Sequence, residues 1–346
     1  MVRGERITIK QVASEAGVST QTVSRVFNLR PDVAPETRQK VMEVIERLGY
    51  HPSALARSLS QKRSYTLGVV TAGLRFIGPS RTLSGIAENA QALGYALLLS
   101  ELADFNAQNY ELVLRFFLDR HVDGILWAVP EVGDNREWIG ELLPNLPVPI
   151  IFLTMEPRAG LSIVSTDNQS GGYMATQHLI EKGYRRIGHI SGPLAWWEAR
   201  QRKLGWAKAI ELNHLPVSEA HSVEGTWSSS SGEKGMRKLL QQVPDLDAVF
   251  AANDQMALGA LQVCCRDGLA VPDRLGVIGF DDISESAYFF PPLSTIALNH
   301  AKMGATAIDV LVNTIEKIYK KEEPEEAQTI MMKPHLIIRE SSSRPI

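Results

Sequence analysis

The stretch from Thr8 to Asn28 (TIKQVASEAGVSTQTVSRVFN) constrains the fold more than any other part of the chain. Val12, Ala13 and Ala16 recur at helical spacing, and Thr8 stands where an N-cap belongs. Gly17 supplies a positive φ at no steric cost, so one helix stops there. Ser19 is placed to cap a second helix whose inner face is Val23, Val26 and Phe27. A third helix is predicted from Pro35 to Leu48, with Val41, Ile45 and Leu48 turned inward and Gly49 ending it. Two short helices about a glycine turn make a helix-turn-helix. The outward positions of the second helix are Thr20, Gln21, Thr22, Ser24, Arg25 and Asn28. Gln pairs bidentately with adenine and Arg with guanine in the major groove. The hydroxyls of Ser19, Thr22 and Ser24 and the amide of Asn28 suit phosphate oxygens, which set register.

Charge points the same way. Residues 1–63 hold 11 Lys/Arg and 6 Asp/Glu, a surplus of +5, whereas the whole chain is −3, which leaves −8 for the remainder. A basic head on an acidic body implies a polyanionic partner for the head alone. At 346 residues the chain exceeds one compact core. Cys264 and Cys265 are neighbours and exclude a disulfide framework. Neither an export signal nor an apolar run of membrane length is present, so a cytoplasmic protein without a membrane partner is expected.

The string Val18-Ser19-x-x-Thr22-Val23-Ser24-Arg25-Val26-x-Asn28 resembles the signature of the lac repressor family of bacterial transcription regulators. The resemblance implies that Thr20, Gln21 and Arg25 read bases, with Thr20 and Gln21 setting operator preference; Thr8, Ser19, Thr22, Ser24 and Asn28 complete the expected DNA-contacting set. It divides the chain into a head (1–52), a hinge helix and linker (53–64) and an effector-binding, dimerising body (65–346). The hinge, Ser53-Ala54-Leu55-Ala56-Arg57-Ser58-Leu59, is too short to be helical alone in water. In the family such a hinge enters the minor groove as a pair. Leu59 matches the leucine that wedges a base step there, and Ala56 the small residue beside it.

From Tyr65 onward, short apolar runs alternate with amphipathic stretches. Strands are predicted at 67–70, 96–99, 124–127, 150–153, 162–165, 187–191, 248–251 and 275–279, and helices include 82–93, 107–118, 171–182 and 256–267. This alternation predicts an α/β body of two doubly wound parallel-sheet subdomains, with ligand beyond the carboxyl ends of the strands. The resemblance extends over this region and implies a body similar to periplasmic sugar-binding proteins. One subdomain would hold about 65–164 and 298–327, the other about 165–297 and 328–340.

Four residues carry ligand chemistry. Arg202 donates two parallel bonds, Asn253 both donates and accepts, Asp281 accepts from hydroxyls, and Trp227 offers a flat face to a sugar ring. Each also has a plain structural use: Arg202 and Asp281 as an ion pair, Trp227 as packing, Asn253 as a helix cap. The resemblance places all four in an effector site, with Phe76 and Pro79 lining it from the first subdomain. Thr154 stands where a carboxylate is expected, and Leu298 and His300 also depart from the family pattern near the cleft floor. Trp196 and Trp197, in Ala195-Trp196-Trp197-Glu198, are placed either to stack a second sugar unit at the mouth or to seal the subdomain edge.

The expectation is a repressor of sugar-utilisation genes, governed by a sugar or glycoside, with a purine or other non-sugar corepressor as the alternative and a sugar receptor without a DNA role behind both. No leucine heptad follows Arg339, so a homodimer on a near-palindromic operator is expected. No Walker loop, HExxH helix or GxSxG elbow is present, and neither an enzyme, a metal nor a cofactor is expected.

Overall fold

The computed structural model describes residues 7–27, 30–50, 63–105, 109–323 and 326–344, which form two compact units divided after Tyr65. In the first unit α1 (Ile9–Ala16), α2 (Thr20–Phe27) and α3 (Pro35–Leu48) close around Val12, Ala16, Val23, Val26, Val41 and Ile45. The start of α1 is a reciprocal capping box: Gln11 N–H donates to Thr8 Oγ1, and Thr8 N–H donates to Gln11 Oε1 at 2.7 Å. Gly17 ends α1 in the left-handed region at φ 64°. The hinge residues Ala56 and Leu59, and Asn28 after α2, lie outside the described residues.

The second unit holds two six-stranded sheets. The first contains β1 (Thr66–Ala72), β2 (Ala96–Leu102), β3 (Gly124–Ala128), β4 (Ile150–Leu153), β5 (Ile163–Thr166) and β11 (Thr329–Met332), in the order β11-β5-β4-β3-β1-β2. The second contains β6 (Ile187–Ser191), β7 (Ser222–Glu224), β8 (Ala248–Ala251), β9 (Gly276–Asp281), β10 (Ser294–Ala297) and β12 (His335–Ile337), in the order β12-β10-β9-β8-β6-β7. All pairs are parallel except β10 with β12. Central strands such as β4, β6 and β8 are buried throughout, which explains their unbroken apolar runs.

Helices cover both faces. In the first lobe α4 (Ile77–Ala92) and α11 (His300–Lys320) pack together on one face, and α5 (Tyr110–Leu118) buries Val113, Leu114 and Phe117 on the other; a single turn, α6 (Ile139–Leu142), adds Ile139. In the second lobe α7 (Asn168–Glu181) and α8 (Trp197–Leu212) cover one face, and α9 (Ser229–Gln242) and α10 (Asp254–Arg266) the other. One boundary differs from the sequence expectation. Thr329–Met332 pairs with Ile163–Thr166 and completes the first sheet, so the last crossing comes after 332 rather than at 327/328. The strand is only four residues long, with Thr329 exposed and Ile330, Met331 and Met332 half-buried, so its apolar run is too short to tell from a loop in the sequence.

At the α7–α8 crossing the backbones nearly touch. A Cβ on Gly172 would lie 2.2 Å from the Arg202 carbonyl oxygen, and one on Gly205 2.1 Å from that of Gln169. The crossing fixes the height of Arg202 above the second sheet.

His189 on β6 is stacked between Trp206 and Phe250, and its Nδ1 pairs with the Phe250 carbonyl at 2.9 Å. Burial drives its pKa down from 6.5 to about 3. The folded pKa lies below the unfolded one, so its stabilisation is full above pH 6.5 and is lost as pH falls toward 3. We expect stability to fall over that window by at most about 1.4 kcal/mol per pH unit from this residue, seen as a falling Tm. His189→Asn should flatten the profile in pH-dependent calorimetry; an unchanged slope would contradict the assignment.

Candidate functional site

The head presents its chemistry on α2. Thr20, Gln21 and Arg25 are exposed, while Val23 and Val26 are buried beneath them. Ser19 Oγ accepts the Thr22 N–H at 3.0 Å and lies 2.9 Å from Thr22 Oγ1, so both hydroxyls are organised at the start of the helix. Arg25 sits 3.6 Å from Asp32 in an exposed pair, which holds the guanidinium loosely. Thr8 is occupied in its capping box and Ser24 is half-buried.

The body concentrates its chemistry where its strands end. Phe76 and Pro79 follow β1, Trp196 follows β6, Trp227 follows β7, Asn253 follows β8, Asp281 closes β9 and His300 follows β10. These residues line one cavity of about 280 Å³ reached from both lobes. Parallel strands that share a direction deliver their carboxyl ends to one edge, which is why residues so far apart in sequence converge.

Arg202 is the hub. It is buried, its Nε donates to Asn168 Oδ1 at 2.9 Å, and its Nη1 donates to the Ala252 carbonyl and lies 3.3 Å from Asp281 Oδ1. Its guanidinium carbon lies 3.8 Å from the Phe280 ring centroid. Burial raises the Asp281 pKa, and the Arg202 and Arg81 guanidiniums oppose that rise. Asn253 does both things its position allows: Oδ1 caps α10 by accepting the Met256 N–H at 2.9 Å, Nδ2 donates to the Trp227 carbonyl at 3.0 Å, and the side chain still faces the cavity.

The aromatic wall crosses between the lobes. Trp196 meets Phe76 edge-on at 5.7 Å, Trp227 edge-on at 5.7 Å and Phe105 at 4.5 Å. A bridge between Val132 and Trp196, with Gly133 N–H donating to the Ala195 carbonyl at 2.9 Å, ties this segment to the first lobe. Trp197 is buried and does not line the cavity, so only Trp196 of the pair stands at the mouth. Thr154 lines a smaller chamber behind Arg202 rather than the main cavity, with Leu298 and His300. The sequence reading also passed over Arg75, Glu198, Thr226, Ser228 and Gln255, all of which line the cavity. None carried a local signal, because polar side chains just after strands are common on any surface.

Backbone strain collects here. Thr154, Trp227 and Asp281 hold positive φ values of 57°, 67° and 102° without being glycine. Gly192 is the support for Trp227: a Cβ there would lie 2.1 Å from the indole ring. We expect Gly192→Ala to push that ring into the cavity and weaken ligand binding at least about tenfold. Calorimetric titration with the ligand found for wild type checks this, and unchanged affinity would mean the indole wall is unused.

Among the described residues no helix is long and apolar enough to cross a membrane. Residues 8–53 match the lacI family of bacterial regulatory proteins, and residues 176–342 match a periplasmic binding protein-like domain. The chain is 34% identical over 334 residues to the HTH-type transcriptional repressor PurR of Haemophilus influenzae (strain PittEE), covering 96% of this chain and 98% of that protein. It is 35% identical over 339 residues to the PurR of Histophilus somni (strain 129Pt), with the same coverage. The lac repressor dimer bound to operator and the anti-inducer ONPF superposes with a TM-score of 0.85 at 29% identity, over 98% of this chain and 99% of that one. The complex of the transcriptional regulator CelR with cellobiose gives 0.71 at 30% identity, over 97% and 100%. Head motif, two-lobed α/β body and whole-length similarity agree, and the chain belongs to the lacI family of bacterial regulatory proteins as a DNA-binding transcriptional repressor rather than an enzyme.

Proposed function

We propose that this repressor grips a two-fold symmetric operator as a homodimer, and that a compact ring-shaped effector between the lobes sets the strength of that grip. The observation that carries the proposal is the cavity of about 280 Å³ in which Arg202, Asn253 and Asp281 converge beside the Phe76–Trp196–Trp227 wall. Effector bound there contacts both lobes and so favours one degree of closure over another. Only such differential affinity shifts an equilibrium. The dimer is supported by the lac repressor dimer to which the chain is similar.

Two effector classes suit this lining. The sequence relatives share the name PurR, which favours a purine or other non-sugar corepressor over the sugar expected from the residues. A purine edge offers donors and acceptors to Arg202, Asp281 and Asn253. The second reading, a sugar, is favoured by the aromatic geometry and by the similar regulator that holds cellobiose. Trp196 is nearly perpendicular to both Phe76 and Trp227, at 81° and 74°, so it forms no parallel clamp for a flat base with either.

The deciding experiment has two steps. Operator fragments are first selected from genomic DNA by the full chain. Affinity for the selected fragment is then measured with hypoxanthine, guanine, glucose or cellobiose, using wild type and Asp281→Asn. The proposal expects one compound to change operator affinity by about 5–150-fold in wild type and not in the variant, with DNA changing that compound's affinity by the same factor. Operator binding indifferent to both classes would refute control from this cleft.

A further inference from the structure

Behind Arg202 the effector cleft opens into a chamber of about 30 Å³, space for roughly one or two water-sized groups. Gly78, Pro79, Glu198, Arg202 and His300 line both spaces and form the passage between them. Arg202 is already committed to Asn168, Ala252 and Asp281. The other two polar residues are not. Glu198 Oε2 and both ring nitrogens of His300 are shielded from solvent and have no hydrogen-bond partner among the described residues; His300 Nε2 comes no nearer than 4.0 Å to Asp281 Oδ1, too far for a hydrogen bond.

Buried polar atoms nearly always have partners, because leaving one unpaired forfeits its hydration without return. Three such atoms at one passage point to a ligand that completes them. They also come from opposite lobes. Glu198 sits in the first turn of α8, which covers the second sheet, and His300 opens α11, which packs with α4 on the first. A group held by both residues would bridge the lobes at the base of the cleft.

Its chemistry follows from theirs. His300 stays neutral, since burial and the nearby Arg202 and Arg81 guanidiniums push its pKa down to about 3; it therefore offers one donor and one acceptor. Glu198 is pushed up to about 7 by burial, with Arg202 pulling it down and Asp281 pushing it further up. Asp281 is matched by Arg202, which leaves the Glu198 carboxyl at the passage to disfavour an anionic substituent, and the chamber admits only a small one. We propose that this passage is a subsite for one neutral hydroxyl or hydroxymethyl substituent of the effector, held by Glu198 from the second lobe and His300 from the first. The inference rests on the cleft being the effector site and specifies which substituent the effector carries into it. It selects for a hydroxylated ring and against its phosphorylated counterpart.

The test uses the full chain as wild type, Glu198→Gln, Glu198→Ala and, as a separate check on the cleft, Asp281→Asn. Binding of cellobiose, glucose, glucose 6-phosphate and hypoxanthine is measured by calorimetry, and Tm is measured without ligand. The subsite predicts that the neutral sugar bound by wild type binds Glu198→Ala at least tenfold more weakly. It also predicts that glucose 6-phosphate is rejected by wild type and that Glu198→Gln narrows this rejection. Unliganded Glu198→Gln should melt no lower than wild type, because burial already disfavours the ionised carboxyl and its shielded oxygen has no hydrogen-bond partner among the described residues. Unchanged sugar binding in both Glu198 variants, with loss in Asp281→Asn, overturns the subsite and leaves the cleft reading standing. Unchanged binding in all three variants overturns both. Binding of hypoxanthine alone, unaffected by Glu198→Ala, overturns the subsite. Should no probe bind wild type, the unliganded melt decides: a fall of more than about 4 °C in Glu198→Gln identifies a structural prop and overturns the inference, while an equal or higher Tm sustains it.

Discussion

Arg202→Ala should uncouple operator binding from the effector altogether. The wild-type side chain is buried and holds Asn168, the Ala252 carbonyl and Asp281 while lying over Phe280. Truncation removes the donors facing the cavity and leaves Asp281, whose side chain is only 13% exposed, without its counter-charge. Losing one member of such a pair costs about 3–5 kcal/mol of stability. Effector affinity should fall about 100-fold or more, since each hydrogen bond to a charged group contributes roughly 1.5–3 kcal/mol. Arg202→Lys should not rescue it, because an ammonium cannot reproduce the fork that serves Asn168, Ala252 and Asp281 together. Operator titrations with and without effector give the readout. A variant that stays bound at inducing concentrations would mark the effector as an inducer. One that never tightens would mark it as a corepressor. Full effector response in Arg202→Ala would remove the centre of the proposed site.

The second large effect belongs to the head. Arg25→Ala should cost about 1–3 kcal/mol of discrimination at one operator position while weak, salt-sensitive binding to bulk duplex persists. Arg25 is exposed on α2 and, among the described residues, its one ion pair is with exposed Asp32 at 3.6 Å. The three-helix unit should therefore melt as before. Gln21→Ala should act at a different base pair, so the two losses should be close to additive in competition binding with single-position operator variants. An Arg25→Ala protein with undiminished preference would show that α2 positions the head without reading bases through this residue.

The two sites differ in how far the chain alone reveals them. Caps, glycine turn and apolar stripe of the head lie within Thr8 to Asn28, and interactions three or four residues apart are written directly into sequence. The observed α3 accordingly spans the predicted Pro35–Leu48, and α2 begins directly after the predicted cap Ser19. The buried parallel strands announced themselves through apolar runs, and the ends of those strands lead to Asn253 and Asp281, whereas Arg202, which lies within α8, and Trp227, which follows the unpredicted β7, were placed by resemblance. Resemblance to a family added Phe76 and Pro79.

Other features came only from tertiary structure, and each depends on contacts between distant segments. Thr329–Met332 became a strand because Ile163–Thr166 offered it an unpaired edge. Trp196 and Trp197 are identical neighbours in sequence, yet one lines the cleft and the other is buried, since successive residues entering a helix point about 100° apart. Asn253 proved to be both a cap and a cavity residue, two uses the sequence presented as alternatives. Glu198 gave no local sign at all, and His300 stood out only as a departure from the family pattern. A carboxylate in the first turn of a helix is ordinary until folding closes a second lobe over it and removes the water that would have satisfied its oxygen. Local periodicity determined which segments fold and how; the meeting of two sheets decided which polar atoms were left waiting for a ligand.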